Sequence, residues 1–294
     1  AREEDRYQRR RSARLLLTVM AVELAANLIC FCLYFTGTNV SNYPKGTEHT
    51  ASVIRYMKER ERNNLFFRAE TTHTQTLNDG ALNGYNGVSA FTSSANVKTT
   101  LFMQALGYGA KNTYNRYAFE ESSPVANLFL GLKYMIDRDD KDKTSTFFAE
   151  KNHFGKTTLL ENQAYLPLAF LAEPELAELT FDISGNPFLF QNELFRAATG
   201  LREDVWHRIP GDYLSLSSQD ATITEQDSTG YLKYSDTKKN GSVTYGYQIP
   251  RDGFACIHLN LPKRNDYYVS VNGVELYKET ISLPQMIAVD DVKA

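Results

Sequence analysis

The chain has 294 residues, with 32 Lys and Arg against 35 Asp and Glu, a formal net charge of −3 and 42% hydrophobic residues. This mildly acidic balance shows no basic stripe, which excludes nucleic acid as a partner class. Cys30 and Cys32 fall in one apolar stretch and Cys256 stands alone, so no internal disulfide framework is available beyond that stretch.

Six arginines crowd residues 1–14, and an apolar stretch of 21 residues follows, Leu15 to Phe35. As a helix rising 1.5 Å per residue it reaches about 31 Å, the thickness of a bilayer's hydrocarbon core. A cleaved signal peptide would carry a core of about 7–15 residues and end in small residues. Leu33-Tyr34-Phe35 is bulky, so a retained transmembrane helix is expected over 15–35. By the positive-inside rule, 1–14 is then a basic cytoplasmic flank and 36–294 is extracytoplasmic. Eleven Leu, Ile, Val and Phe residues favour insertion by about 3–7 kcal/mol, and a central carboxylate costs about 3. Glu23 supplies that carboxylate, and Asn27 lies four residues on, hence on the same face. This intramembrane polar pair reads either as a functional site or as packing glue, facing other transmembrane helices in both cases.

Residues 36–205 mix helix and strand signals and are expected to form an α/β domain. Thr47–Arg62 has a helical pattern with Val53, Ile54 and Met57 on one face. Leu65–Glu70 reads as a short strand, and Thr71–Ser94 as a Gly/Asn/Ser/Thr-rich loop long enough to be functional. Ser93 or Ser94 could cap a helix over Asn96–Leu106. Ser123-Pro124 opens a helix to Leu130 as N-cap and N1. Lys133–Asp137 looks like a buried strand, followed by a loop over Arg138–Ser145. Thr157–Asn162 and Leu168–Ala172 could pair as strands around Pro167. Asn186-Pro187 begins a helix that Gly200 ends.

From about Asp212 the pattern alternates, with strands expected over Tyr213–Glu225, Gly230–Ser235, Val243–Ile249, Phe254–Leu261, Tyr267–Val271, Val274–Tyr277 and Ile281–Val289. Asn272-Gly273 is a strong hairpin signal and Asn240-Gly241 a second candidate. Residues 206–294 thus form an all-β module, most simply a sandwich. Lys293-Ala294 follows no clear closing strand, which leaves truncation open. The fold class is α+β.

Most enzyme signatures fail. The five histidines are scattered, so no metal site is expected, and no cofactor motif is present. Gly87-Val88-Ser89-Ala90-Phe91 lacks the second glycine of a nucleophile elbow. Gly107-Tyr108-Gly109 follows a helix rather than a strand, so it is no dinucleotide loop. Asp137, Asp139, Asp140 and Asp142 lack the glycine of a calcium loop. What remains is a polar constellation in which Arg68 and Glu70 alternate out of one strand. Asn78, Asp79, Asn83, Tyr85, Asn86, Ser89, Ser93 and Ser94 follow. Amides, carboxylates and aromatic rings of this kind suit a glycan site. The alternative is an Arg68–Glu70 ion pair and a loop whose polar groups satisfy its own backbone.

At these residues the chain resembles the YfhO family of polytopic bacterial membrane proteins, related to the GT-C glycosyltransferases. The resemblance rests on ordered blocks behind the acid-bearing span: Phe66-Phe67-Arg68-Ala69-Glu70, Asn78-Asp79-Gly80, Gly84–Ser94 and Ser123-Pro124-Val125. Leu130–Tyr134, Tyr165–Phe170 and Asn186-Pro187-Phe188 with Gln191-Asn192 continue it. It implies a multispan enzyme of the bacterial cell membrane, using a polyprenyl-phosphate-linked sugar outside the membrane to modify a cell-wall glycopolymer such as teichoic acid. In such enzymes the catalytic acid lies in the first external loop near the first span, a region this chain does not contain. The catalytic residues are therefore unknown. The resemblance casts the external part as binding or orienting the acceptor glycan through Arg68, Glu70, Asp79, Tyr85, Ser93 and Lys133. The alternative is a membrane-anchored, non-catalytic glycan-binding or structural partner protein. The expected partners are thus the lipid bilayer, other transmembrane helices, and the sugar donor and glycopolymer that the resemblance implies.

Overall fold

The arginine flank and the apolar stretch form one continuous helix, α1 (Arg2–Tyr34). A computed structural model describes residues 2–35, 47–64, 66–72, 76–110, 115–119, 123–138, 147–180, 185–209, 214–226, 232–236, 241–259, 265–281 and 285–294. They divide into one unit that ends at Lys45 and another from Gly46 to Ala294. The flank is helical because Arg, Glu, Gln and Ala are good helix formers. An Asp5–Arg9 pair at 3.2 Å and the acids Glu3, Glu4 and Asp5 in the first turn support it. The apolar part has a mean hydropathy of 2.2 over 18 residues and is long enough to cross a membrane. Its Thr18 hydroxyl donates to the Arg14 carbonyl at 2.9 Å, so that polar group is already satisfied within the helix. No residue of α1 is buried, and nothing among the described residues pairs with the Glu23 or Asn27 side chains.

The second unit begins with α2 (Thr47–Arg60), β1 (Arg68–Thr71), α3 (Asp79–Asn83), β2 (Ala90–Phe91) and α4 (Val97–Ala105). Then come β3 (Gly109–Ala110), β4 (Arg116–Ala118), α5 (Pro124–Phe129) and β5 (Leu132–Asp137). The hairpin β6 (Phe148–Phe154) and β7 (Thr157–Asn162), a 3-10 turn Pro174–Glu178 and α6 (Pro187–Thr199) complete this part. The central sheet has the order β1-β5-β7-β6, with β1 parallel to β5 and the other pairs antiparallel. A small sheet, β2-β4-β3, lies apart from it in the topology. Val53, Ile54 and Met57 of α2 pack with Ala69, Tyr134, Ile136 and Leu159. Leu132, Met135 and Leu160 join a second core with Met103, Leu106, Phe119, Phe190 and Leu194. Arg68 pairs with Leu132 but Ala69 with Tyr134, which leaves Lys133 bulged out of register. The bulge sends Leu132 and Tyr134 into different cores, although strict alternation would place them together.

Several expectations hold locally. Ser123 Oγ caps α5 through the Ala126 N–H, with Pro124 at N1. Asn186 Oδ1 caps α6 through the Phe188 N–H at 3.0 Å, and Gly200 ends it at φ +71°. Others are corrected. The cap of α4 is Asn96, accepting from the Lys98 N–H at 2.9 Å, and neither Ser93 nor Ser94 fills that role. Leu168–Ala172 is no strand; β7 pairs instead with β5 and with β6, joined to β6 through Gly155 at φ +62°. The long loop contains α3 and β2. The loop expected over Arg138–Ser145 lies outside the described residues except Arg138.

The C-terminal strands are β8 (Leu214–Gln219), β9 (Ala221–Gln226), β10 (Leu232–Asp236), β11 (Ser242–Tyr247) and β12 (Gly253–Leu259). They continue with β13 (Asn265–Val271), β14 (Val274–Ile281) and β15 (Gln285–Val292). The described residues form antiparallel pairs β8–β11, β9–β10, β12–β15 and β13–β14. The run expected over Tyr213–Glu225 breaks into two strands at Asp220, φ 55°. Asn272-Gly273 turns the β13–β14 hairpin with both residues at positive φ, as a type I′ turn requires. Asn240 of the other candidate turn lies outside the described residues.

These strands pack on the rest of the unit through Phe254, whose ring lies 4.9 Å edge-on from Phe147 and 6.1 Å from Trp206. Trp206 is itself clamped by Asn192, which accepts its N–H at 2.7 Å and donates to its carbonyl at 2.9 Å.

Candidate functional site

The Glu70 carboxylate organises the polar constellation. Oε2 accepts the N–H groups of Val88 at 2.9 Å and Ser89 at 2.8 Å, and Oε1 accepts the N–H of Thr71 at 3.0 Å. The Tyr85 hydroxyl donates to Oε1 at 3.4 Å. Glu70 is 1% exposed, and burial raises its pKa while the three N–H donors oppose that rise. Asp79, 2% exposed, accepts the Thr76 N–H at 3.0 Å at the start of α3. Asn78 clamps Phe91 from both sides, accepting its N–H at 2.9 Å and donating to its carbonyl at 3.0 Å. A Cβ at Gly80 would stand 2.8 Å from the Gly87 nitrogen, so backbones meet here where no side chain fits. Burial raises the Tyr85 pKa, aided by the nearby charges of Glu70 and Asp79.

The six expected residues therefore divide. Glu70, Asp79 and Tyr85 come together as a buried brace that shapes the segment from Asn78 to Phe91. Ser93 is exposed beyond it. Arg68 does not pair with Glu70; its guanidinium donates to the Leu130 carbonyl at 2.7 Å and stacks 5.0 Å from the Phe66 ring. It lines a cleft of about 40 Å³ with Phe66, Phe129 and Pro167, room for a water and too little for a sugar ring. Burial lowers the Arg68 pKa, as expected of a guanidinium set among apolar groups.

Lys133 belongs to a third group. Its Nζ lies 2.7 Å from Glu61 Oε1, the oxygen that also accepts the Tyr134 hydroxyl at 2.6 Å. The bulge at Lys133 lets both neighbours reach one carboxylate. Asn64 donates to the other oxygen at 2.9 Å. Burial opposes ionisation of Glu61, but these donors outweigh it and hold its pKa below the usual range. Lys133 also lies over the Tyr134 and Tyr165 rings, at 5.5 and 5.1 Å. Burial opposes its charge too, and Glu61 and Tyr165 raise its pKa on balance.

An opening of about 510 Å³ lies between α2 and the end of α3. Arg55, Lys58 and Arg62 line it with Glu59 and Asn83. These cations escaped the sequence reading, although Arg55 and Lys58 are three residues apart on α2 and Arg62 follows just past its end. Among the described residues, no three His, Cys, Asp or Glu side chains converge as metal ligands.

The family model described as bacterial membrane protein YfhO matches residues 5–289. The chain belongs to the YfhO family. No curated protein and no solved structure matches it. The YfhO match runs through α1, so the apolar helix and the unit behind it are parts of one membrane protein. The polar block of this YfhO chain is thus a framework: its carboxylates are spent on backbone N–H groups, and its solvent edges include Ala81, Leu82, Gly84, Asn86 and Phe91–Ser94.

Proposed function

We propose that residues 36–294 are the extracytoplasmic part of a membrane glycosyltransferase. The enzyme moves a sugar from a polyprenyl-phosphate donor to a cell-wall glycopolymer such as teichoic acid, and this part holds the acceptor. The observation that carries the reading is the open groove walled by Arg55, Lys58 and Arg62 and floored in part by Asn83. Two cations on one face of α2 and a third just past its end suit a phosphate-bearing polymer, and an amide beside them suits its sugar hydroxyls. Glu70, Asp79 and Tyr85 then act by holding the block that carries Asn83, with Arg68, Ser93 and Lys133 flanking it. The transfer itself needs a base for the acceptor hydroxyl. Glu70 does not fit that role, being buried and saturated with N–H donors, so the chemistry belongs to another part of the enzyme. Glu23 and Asn27 face further transmembrane helices in this reading.

Titrating the full chain in nanodiscs with purified teichoic acid tests it. Replacing Arg55, Lys58 and Arg62 together by Gln is expected to weaken binding roughly tenfold or more and to flatten its salt dependence. Equal binding by parent and variant would remove the reading.

A second reading, a membrane-anchored non-catalytic glycan binder with a sandwich-like β module, is favoured by Tyr245 and Tyr247. Their rings stack 6.4 Å apart and 14° from parallel on β11, with Tyr247 exposed. Tyr247→Ala would then abolish polymer binding while the cationic variant leaves it intact.

A further inference from the structure

Eight consecutive apolar residues, Tyr165–Ala172, run over the surface with no secondary structure. Leu171 is fully exposed, Leu168 is 65% exposed and Phe170 37%. Both ends are fixed. The Ala164 N–H donates to Asn162 Oδ1 at 3.0 Å and the Leu166 N–H to the Leu128 carbonyl at 3.1 Å. At the far end the Glu173 N–H donates to the Ala198 carbonyl at 3.0 Å. The Phe170 ring leans on Phe129 at 6.1 Å, which leaves Leu168 and Leu171 pointing to solvent. A projection clamped at its base and greasy at its tip is unlike an ordinary polar loop, and such exposure marks a contact surface.

The chemistry around the base points to the occupant. Tyr165, an aromatic residue of the kind enriched at membrane–water interfaces, lies 5.1 Å from the Lys133 ammonium, whose charge is paired with Glu61. Arg68 sits in the cleft that Leu166 and Leu168 help to line, and among the described residues no carboxylate pairs with it. A guanidinium in that cleft, with the exposed aliphatic side chains of Leu168 and Leu171 in the same segment, matches a headgroup phosphate above acyl chains. The chain belongs to a membrane-protein family and carries a helix long and apolar enough to cross a bilayer, so a lipid surface is among the partners it meets. The backbone of Tyr165–Ala172 lacks helical or strand bonding, so it fits the hydrated headgroup boundary and not the hydrocarbon core.

We propose that Tyr165–Ala172 is a membrane-docking loop, inserting Leu168, Phe170 and Leu171 at the headgroup–acyl boundary of the bilayer with Arg68 on a headgroup phosphate. Docking rests on the loop's own exposure and composition, independently of the α2 groove.

The test uses the full chain in nanodiscs of phosphatidylethanolamine and phosphatidylglycerol, with plain or brominated acyl chains. Trp206, the one native tryptophan, gives the baseline. Leu171→Trp and Leu168→Trp are expected to gain roughly twofold or more quenching by brominated lipid, as interfacial side chains do. Val274→Trp, at a position 63% exposed beside the Asn272-Gly273 turn, should gain none. Quenching at Leu171→Trp no greater than at Val274→Trp overturns the docking loop. In that event protection from aqueous acrylamide would assign the surface to a protein partner, and full acrylamide access would leave it in water. Arg68→Gln should reduce lipid quenching at Leu171→Trp; unchanged quenching removes the phosphate contact.

Discussion

Glu70 Oε2 accepts the Ser89 N–H at 2.8 Å across 19 positions of chain, binding β1 to the glycine-rich segment that follows it. Ser89 passes the link on, because its hydroxyl accepts the Phe119 N–H at 2.9 Å. One carboxylate thus connects the central sheet, the polar block and the segment after β4. The block keeps its shape although it has little regular structure of its own.

Glu70→Gln should therefore destabilise the fold. An amide keeps one acceptor oxygen and puts an NH₂ group against backbone donors, leaving at least one buried N–H unpaired. The expected loss is about 2–4 kcal/mol, read as a lower midpoint in urea. Glu70→Asp should recover less than half of it, since one methylene fewer cannot reach Val88 and Ser89 together. A parent-like midpoint for the Gln variant would show that these N–H groups find other partners.

Lys133→Met should cost about 2–4 kcal/mol, because it strips the cation from a buried carboxylate. Its bulged position makes the loss specific to Glu61. The double variant Lys133→Met/Glu61→Gln should be more stable than the Lys133 variant alone. The pH sign follows from the lowered pKa of Glu61. Its contribution is complete above the ordinary glutamate value of about 4.3 and is lost as the pH falls through the folded value. Acid unfolding profiles of the parent and Glu61→Gln chains should converge below that window.

How much of this was legible before the structure depends on where the determinants lie. Ser123-Pro124, Asn186-Pro187 with Gly200, and Asn272-Gly273 act within a few residues of themselves, so their elements are visible in the sequence. The Lys133 bulge depends on its pairing with Arg68 and Ala69 on another strand, and no local pattern announces it. β6 was missed because Glu150, Lys151, Asn152 and His153 make it polar, and only its pairing with β7 makes it a strand. In the candidate site, residue types near Glu70 drew attention correctly, but burial decides their role, and burial is tertiary. Arg55, Lys58 and Arg62 show the opposite failure, since their spacing was readable and drew less notice than the polar loop.

Gly107→Ala should destabilise the seat of the β strands. Gly107 has φ +99°, and a Cβ there would stand 2.7 Å from Met286 Sδ and 3.1 Å from Pro187 Cβ. Backbone strain of about 1–3 kcal/mol adds to that overlap. Met286→Ala in the same chain should relieve only the steric part, so the double variant stays less stable than Met286→Ala alone. Equal midpoints for those two would show that φ carries no cost.

His258 gives the clearest pH dependence. It lies on β12, beside Gly107, whose backbone hydrogen-bonds the ring and supports its charge weakly. Burial dominates and lowers the His258 pKa from 6.5 to about 4. The unfolded chain takes up a proton near pH 6.5, while the folded chain resists until about pH 4. Stability should therefore fall as the pH drops through that window, by up to about 3 kcal/mol from this group. His258→Gln should flatten the dependence between about pH 6.5 and 4, the range set by the ordinary and folded values. Urea midpoints of the two chains across that range decide it: parallel curves would mean that His258 titrates normally and that β12 is open to water in the folded state.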